Sequence, residues 1–159
     1  MNTNWTRSQF TFHDLQRLLF KLAEKVKAFR GLAPAEIGEI LAHAEKCTFD
    51  PGVAIVKEGN TGPHMYIILE GEARVTKKGR DGEVELARLS APDSFGEMAL
   101  VDKTVRSATV TADTFCVMVR VDDKAFQAKP EIGLKFYRNI AAVLTERLRS
   151  ADELLAWRL

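Results

Sequence analysis

Residues 65–89, MYIILEGEARVTKKGRDGEVELARL, decide the fold. The stretch contains three short runs, β-branched or alternating in polarity, cut by Gly71 and by Arg80-Asp81-Gly82. Runs of that length and texture, separated by residues that tolerate tight turns, read as antiparallel strands. The same texture continues on both sides. Upstream lie KCTF (46–49) and VAIVKEG (53–59), with turns at Asp50-Pro51-Gly52 and Gly59-Asn60-Thr61-Gly62; downstream lie SATVTA (107–112) and TFCVMVRV (114–121). Many short strands at regular spacing predict a jelly-roll sandwich.

Outside this region the period changes. Thr11-Phe12-His13-Asp14 resembles a capping box, and Leu15, Leu18, Leu19, Leu22, Val26 and Phe29 follow on one helical stripe, which predicts a helix over about 12–29. Gly31 and Pro34 interrupt it, and Ile37, Ile40, Leu41 and Ala44 predict a second helix over about 34–45. A short helix is expected over 122–128. Pro130 suits the first turn of a long helix to about Trp157, with Ile132, Phe136, Ile140, Leu144, Leu148, Ala151 and Leu155 on one apolar face. The fold class is therefore mainly β with flanking α: an antiparallel β-roll with N-terminal helices and a long C-terminal helix. We divide it into a helical prefix (1–45), the roll (46–128) and the C-terminal helix (129–159), all one folded unit.

Composition narrows the function. With 159 residues and a net charge of +1, basic and acidic residues interspersed, the chain lacks the footprint of a nucleic-acid binder and is expected to hold one domain and no second effector. No apolar stretch approaches the roughly 18 residues needed to span a bilayer, so a cytoplasmic protein without membrane insertion is expected. Cys47 and Cys116 read as buried thiols rather than a disulfide. His13, His43 and His64 do not share metal-ligand spacing with other candidate ligands, and no nucleophile motif is present. Neither a metal, a cofactor nor a catalytic residue is expected.

The chemistry is concentrated in FGEMALVDKTVRSATVTA, residues 95–112. Arg106 offers a planar guanidinium suited to phosphate oxygens, and Gly96 lets a ligand approach the main chain. A carboxylate at Glu97 would repel phosphate, so its sensible ligand partner is a hydroxyl such as a ribose 2′-OH. The alternative on residues alone is a structural ion pair between Glu97 and Arg106 within ordinary core.

The segment resembles the phosphate-binding cassette of the cyclic nucleotide-binding domain family. The pattern F-G-E-hydrophobic-A-L, then R-small-A-[TS]-V, is met by Phe95-Gly96-Glu97-Met98-Ala99-Leu100 and Arg106-Ser107-Ala108-Thr109-Val110. Gly52, Gly59 and Gly71 also stand where that family has glycines. One departure is Val105, where the family often has proline; this is expected to loosen the loop without removing a ligand contact.

The resemblance implies a receptor for cAMP or cGMP, with ligand contacts at Gly96, Glu97, Met98, Ala99, Arg106, Ser107 and Ala108. Ser107 looks like the residue after the phosphate arginine in bacterial cAMP receptors, which favours cAMP, although its hydroxyl also suits guanine. Val75 and Leu86 could face the purine or be plain core. Arg147 and Ser150 are candidate base contacts by position, and Trp157 a candidate lid. The C-terminal helix would change its docking on binding, to be read by a downstream protein or by a homodimer formed through it. A scaffold that binds no nucleotide and a receptor for a cyclic dinucleotide are the rival expectations.

Overall fold

A computed structural model of the chain describes residues 5–127 and 129–158. Among the described residues, nine strands form two antiparallel sheets. In chain order these are β1 (Trp5–Ser8), β2 (Glu45–Phe49), β3 (Ala54–Val56), β4 (Met65–Glu70), β5 (Glu72–Gly79), β6 (Gly82–Ser90), β7 (Ser94–Phe95), β8 (Thr109–Ala112) and β9 (Cys116–Val121). One sheet runs β1-β2-β9-β4-β7 and the other β3-β8-β5-β6. The helices are α1 (Phe12–Lys25), α2 (Pro34–Ala42), α3 (Glu97–Asp102) and α4 (Pro130–Ala156), with single 3₁₀ turns at Lys27–Phe29 and Asp123–Phe126. The β-roll with flanking helices is as expected.

Strand β4 explains the layering. Its side chains are buried from Met65 to Leu69, because it lies between two cores. Met65, Ile67 and Leu69 face the helices and join Leu22, Phe29, Ile37, Phe136 and Ile140. Tyr66 and Ile68 face the other sheet and join Phe49, Phe95, Val110 and Met118. A strand covered on both faces needs a continuous apolar run, which is what MYIIL supplies. Cys47 and Cys116 are free, buried thiols, and burial pushes both above the ordinary thiol range.

Four elements differ from the expectation. Helix α1 begins at the predicted capping box, with reciprocal Thr11–Asp14 bonds, but stops at Lys25. Val26 turns to an extended conformation, and the following 3₁₀ turn sends buried Ala28 and Phe29 toward α4. The side chain of Asn139 donates to the carbonyls of Ala28 and Arg30, satisfying backbone that a continuous helix would have paired internally. Helix α2 stops at Ala42, since Glu45 already pairs with Arg120 in the β2–β9 ladder. Strands β1 and β7 were not expected from the sequence. Strand β7 spans two residues, too few for alternation to register.

Candidate functional site

Strand β7 delivers the chain into the site. The Phe95 ring stacks on Tyr66, with centroids 5.1 Å apart, in the register that pairs the two residues across β4 and β7. Gly96 then adopts φ +79°, a left-handed turn that directs Glu97 into the first turn of α3. Lys103 closes that helix, also left-handed, and an irregular segment leads to β8.

Arg106 lies in this segment, and its backbone is pinned on both sides. Its N–H donates to the Asn60 carbonyl and its carbonyl accepts from Gly59 N–H, each at 2.8 Å. The neighbouring β3–β4 loop thus provides anchoring that a proline at position 105 would otherwise supplement; Val105 itself lines the pocket, half exposed.

The Arg106 side chain is the exceptional group. It is 7% exposed, Nη2 donates to the His64 carbonyl at 2.7 Å, and Nη1 is buried with no hydrogen-bond partner. Among the described ion pairs none involves Arg106. Burial holds the guanidinium below its ordinary pKa, with Tyr66 opposing. A buried cation without a counter-charge costs several kcal/mol, and an anion in the pocket would offset that cost. The surrounding glycines make room for it: a Cβ on Gly96 would stand 2.7 Å from Nη1, and one on Gly62 would stand 3.3 Å from Nη2.

Glu97 does not pair with Arg106, so the structural ion pair weighed from the sequence is not formed. Glu97 is 2% exposed and is bound from two other directions. Ser94 Oγ donates to Oε1 at 2.5 Å, and Arg147 Nη1, from α4, donates to Oε2 at 2.8 Å. Arg147 Nη2 also donates to the Ser94 carbonyl. A single side chain of α4 therefore grips the start of the cassette.

Around these groups lies an open pocket of about 520 Å³, in the range of small-molecule sites. Gly96, Glu97, Met98, Ala99, Arg106, Ser107, Ala108 and Arg147 all line it. Ser150 does not; it is exposed, and its hydroxyl donates to the Glu146 carbonyl one turn back. Trp157 is 89% exposed and also outside the lining. Ten residues of helix put it about 15 Å along the axis from Arg147.

Val75 lines the pocket, whereas Leu86 is 55% exposed and neither lines it nor belongs to the core. The register explains the difference. Val75 pairs with Ala87 and Thr76 with Glu85, so Leu86 is the extra residue of a β-bulge, and Ala87 and Leu89 take the inward positions. Sequence reasoning missed these two, and also Ser94 and His64. His64 acts through its carbonyl, for which no side-chain signal exists. Leu144 and Leu148 sat on the apolar stripe of α4, but their role in the pocket depends on tertiary packing.

Among the described residues, no cluster of three or more His, Cys, Asp or Glu side chains could hold a metal, and no helix is long and apolar enough to cross a membrane.

Comparison with known proteins places this geometry. The cAMP-dependent protein kinase regulatory subunit of Yarrowia lipolytica is 44% identical over 131 residues, which is 77% of this chain and 34% of that protein. The chain thus spans about a third of that relative's length. The crystal structure of Thermus thermophilus catabolite activator protein superposes with a TM-score of 0.75 at 30% identity, covering 82% of this chain and 62% of that one. A cyclic nucleotide-binding domain from Methylobacillus flagellatus shares the fold at a TM-score of 0.85 and 20% identity, over 98% of this chain and 90% of that one. The cyclic nucleotide-binding domain model matches residues 46–130, over half the chain and including the whole cassette, and the chain belongs to that family.

Proposed function

We propose that this chain is a receptor module that binds a 3′,5′-cyclic nucleotide, cAMP or cGMP, and signals through α4. The observation that carries the proposal is Arg106, which lines the pocket and whose buried guanidinium nitrogen Nη1 has no partner. A cyclic phosphodiester brings one negative charge and exocyclic oxygens, which fit that donor and the approach opened by Gly96. The ribose 2′-OH donates to Glu97, and the base enters the apolar part of the pocket. No catalytic step is assigned, because the polar groups match a bound ligand and supply no nucleophile.

The output follows from what holds Glu97. A ribose hydroxyl arriving at that carboxylate competes with Arg147, the residue by which α4 holds the cassette. Binding therefore changes the docking of α4 beyond Val143, by an amount set by the difference in affinity for the two arrangements, typically about 1–3 kcal/mol. Leu148, Leu154 and Leu155 are exposed there and supply apolar surface for a downstream protein or a second copy to read. The two free thiols suit a cytoplasmic setting.

Calorimetric titration of nucleotide-stripped protein with cAMP tests the assignment. Arg106→Ala is expected to lose about 2–3 kcal/mol of binding, and Arg106→Lys to recover only part of it. An Arg106→Ala variant that binds as tightly as the parent would contradict the phosphate site.

A further inference from the structure

Ser150 lies outside the pocket, which leaves it without a part in the receptor reading. It is exposed on α4, and its hydroxyl donates to the Glu146 carbonyl at 3.1 Å. Among the serines of the chain it alone has an arginine three residues before it, in Arg147-Leu148-Arg149-Ser150. The segment that carries it is also the least packed part of the helix, since no described residue of α4 beyond Val143 is buried. Helix ends with so few buried contacts open locally at little cost, which lets an enzyme draw a serine into an extended substrate groove.

Residues three apart on a helix are neighbours, with Cβ atoms about 5–6 Å apart, and side chains lean toward the N-terminus. A phosphate on Ser150 would therefore lie over the turn that holds Arg147. That arginine donates to Glu97 and to the Ser94 carbonyl, yet its side chain is 45% exposed and so is open to a second anion. A phosphoserine carries about −1.5 to −2 charges at pH 7, and its three acceptor oxygens match the guanidinium fork. Arg149 adds positive charge beside it. Glu146, Asp152 and Glu153 oppose it, and Glu146 is already paired with Lys27.

We infer that Ser150 is a phosphorylation site whose phosphate holds Arg147 once nucleotide has displaced that arginine from Glu97. The inference rests on the receptor reading above and adds a regulator to it. In the transfer, Ser150 Oγ attacks the γ-phosphorus of ATP on an arginine-directed protein kinase. The new O–P bond forms as the bond to the β–γ bridging oxygen breaks; ADP leaves with that electron pair, and the hydroxyl proton passes to the kinase's carboxylate base. Without the phosphate, nucleotide sends Arg147 into solvent; with it, the released arginine gains a partner. Phosphate and nucleotide favour the same arrangement of α4, so each strengthens the other.

The test has two arms on the full chain. Incubation with ATP and a serine kinase that requires arginine three residues before its target is expected to place a phosphate on Ser150, seen by mass spectrometry and absent in Ser150→Ala. Phosphoserine is then introduced at position 150 during translation, so that Arg147→Met, which lacks the kinase's recognition arginine, can carry it too. In calorimetric titration with cAMP the phosphate is expected to lower the dissociation constant at least about fivefold in the parent and to leave it unchanged in Arg147→Met. No transfer to Ser150, equal affinity with and without the phosphate, or a tightening that persists in Arg147→Met overturns the inference and leaves the receptor reading standing. Failure of both forms to bind cAMP would overturn the two together.

Discussion

Arg106 and Gly96 depend on one another through a single short approach. Alanine at position 96 would carry φ +79°, which costs a side-chain residue about 1–2 kcal/mol, and its Cβ would stand 2.7 Å from Arg106 Nη1. Gly96→Ala is therefore expected to lower stability by about that amount in urea unfolding and to weaken cAMP binding at least about tenfold, because the displaced atom is the proposed phosphate donor. Loss of stability with unchanged binding would mean that Nη1 is not that donor. His64 makes a second prediction at this scale. Its carbonyl holds Arg106 and its ring lies 3.8 Å from Asp122. Burial first, then the Arg120 and Arg106 charges, depress its pKa below 6.5, while Asp122 and Glu45 oppose them. The unfolded chain then binds the proton more readily, so this histidine's contribution is fully present above about pH 6.5 and is lost as pH falls toward the folded value. Between pH 7.5 and 5.5, His64→Gln should lose less stability than the parent; an equal loss would remove His64 from the acid response. Arg106 and Glu97 stand out in the sequence through their chemistry and the cassette resemblance, and both line the pocket. That Glu97 is held by Arg147, fifty residues away, is not legible there.

At the scale of elements, α4 has two halves with different roles. Ile132, Phe136, Ile140 and Val143 are buried, and beyond Val143 no residue of the helix is. The apolar periodicity of 130–157 is uniform along the sequence, so the helix was predicted accurately while the point at which its face leaves the core was not. Arg147, beside the Lys27–Glu146 pair, ties the exposed half to the cassette. Replacing it with methionine leaves buried Glu97 with Ser94 alone, and should cost about 1–3 kcal/mol in unfolding free energy and speed amide exchange over 144–156. If exchange there matched the parent, Arg147 would not be the tie. The strands show a related limit. Alternation marked β5 and β6 clearly, but the bulge at Leu86 inverts which residues of β6 face inward, and only pairing with β5 reveals it. Likewise the break after Lys25 follows from Phe29 packing against Phe136, with ring centroids 5.6 Å apart, and not from anything within the α1 stripe.

The whole molecule is a sheet sandwich with a helical layer, and the site lies where the two meet. The first half of α4 is fastened to the N-terminal helices through Lys135–Glu36, Lys129–Glu39 and the Asn139 amide, and Lys27–Glu146 extends the line almost to Arg147. Exposed pairs of this kind add little stability each, but they make the helical layer one body that ends at the cassette. Occupation of the Arg106 site is proposed to alter the hold on the far end of α4. Hydrogen exchange on the full chain, with and without cAMP, in the parent and in Arg106→Ala, tests it most directly. Nucleotide is expected to raise protection over 94–110 and to change it over 144–156, with neither effect in the variant. Protection over 144–156 that is identical with and without nucleotide, while 94–110 responds, would contradict the coupling.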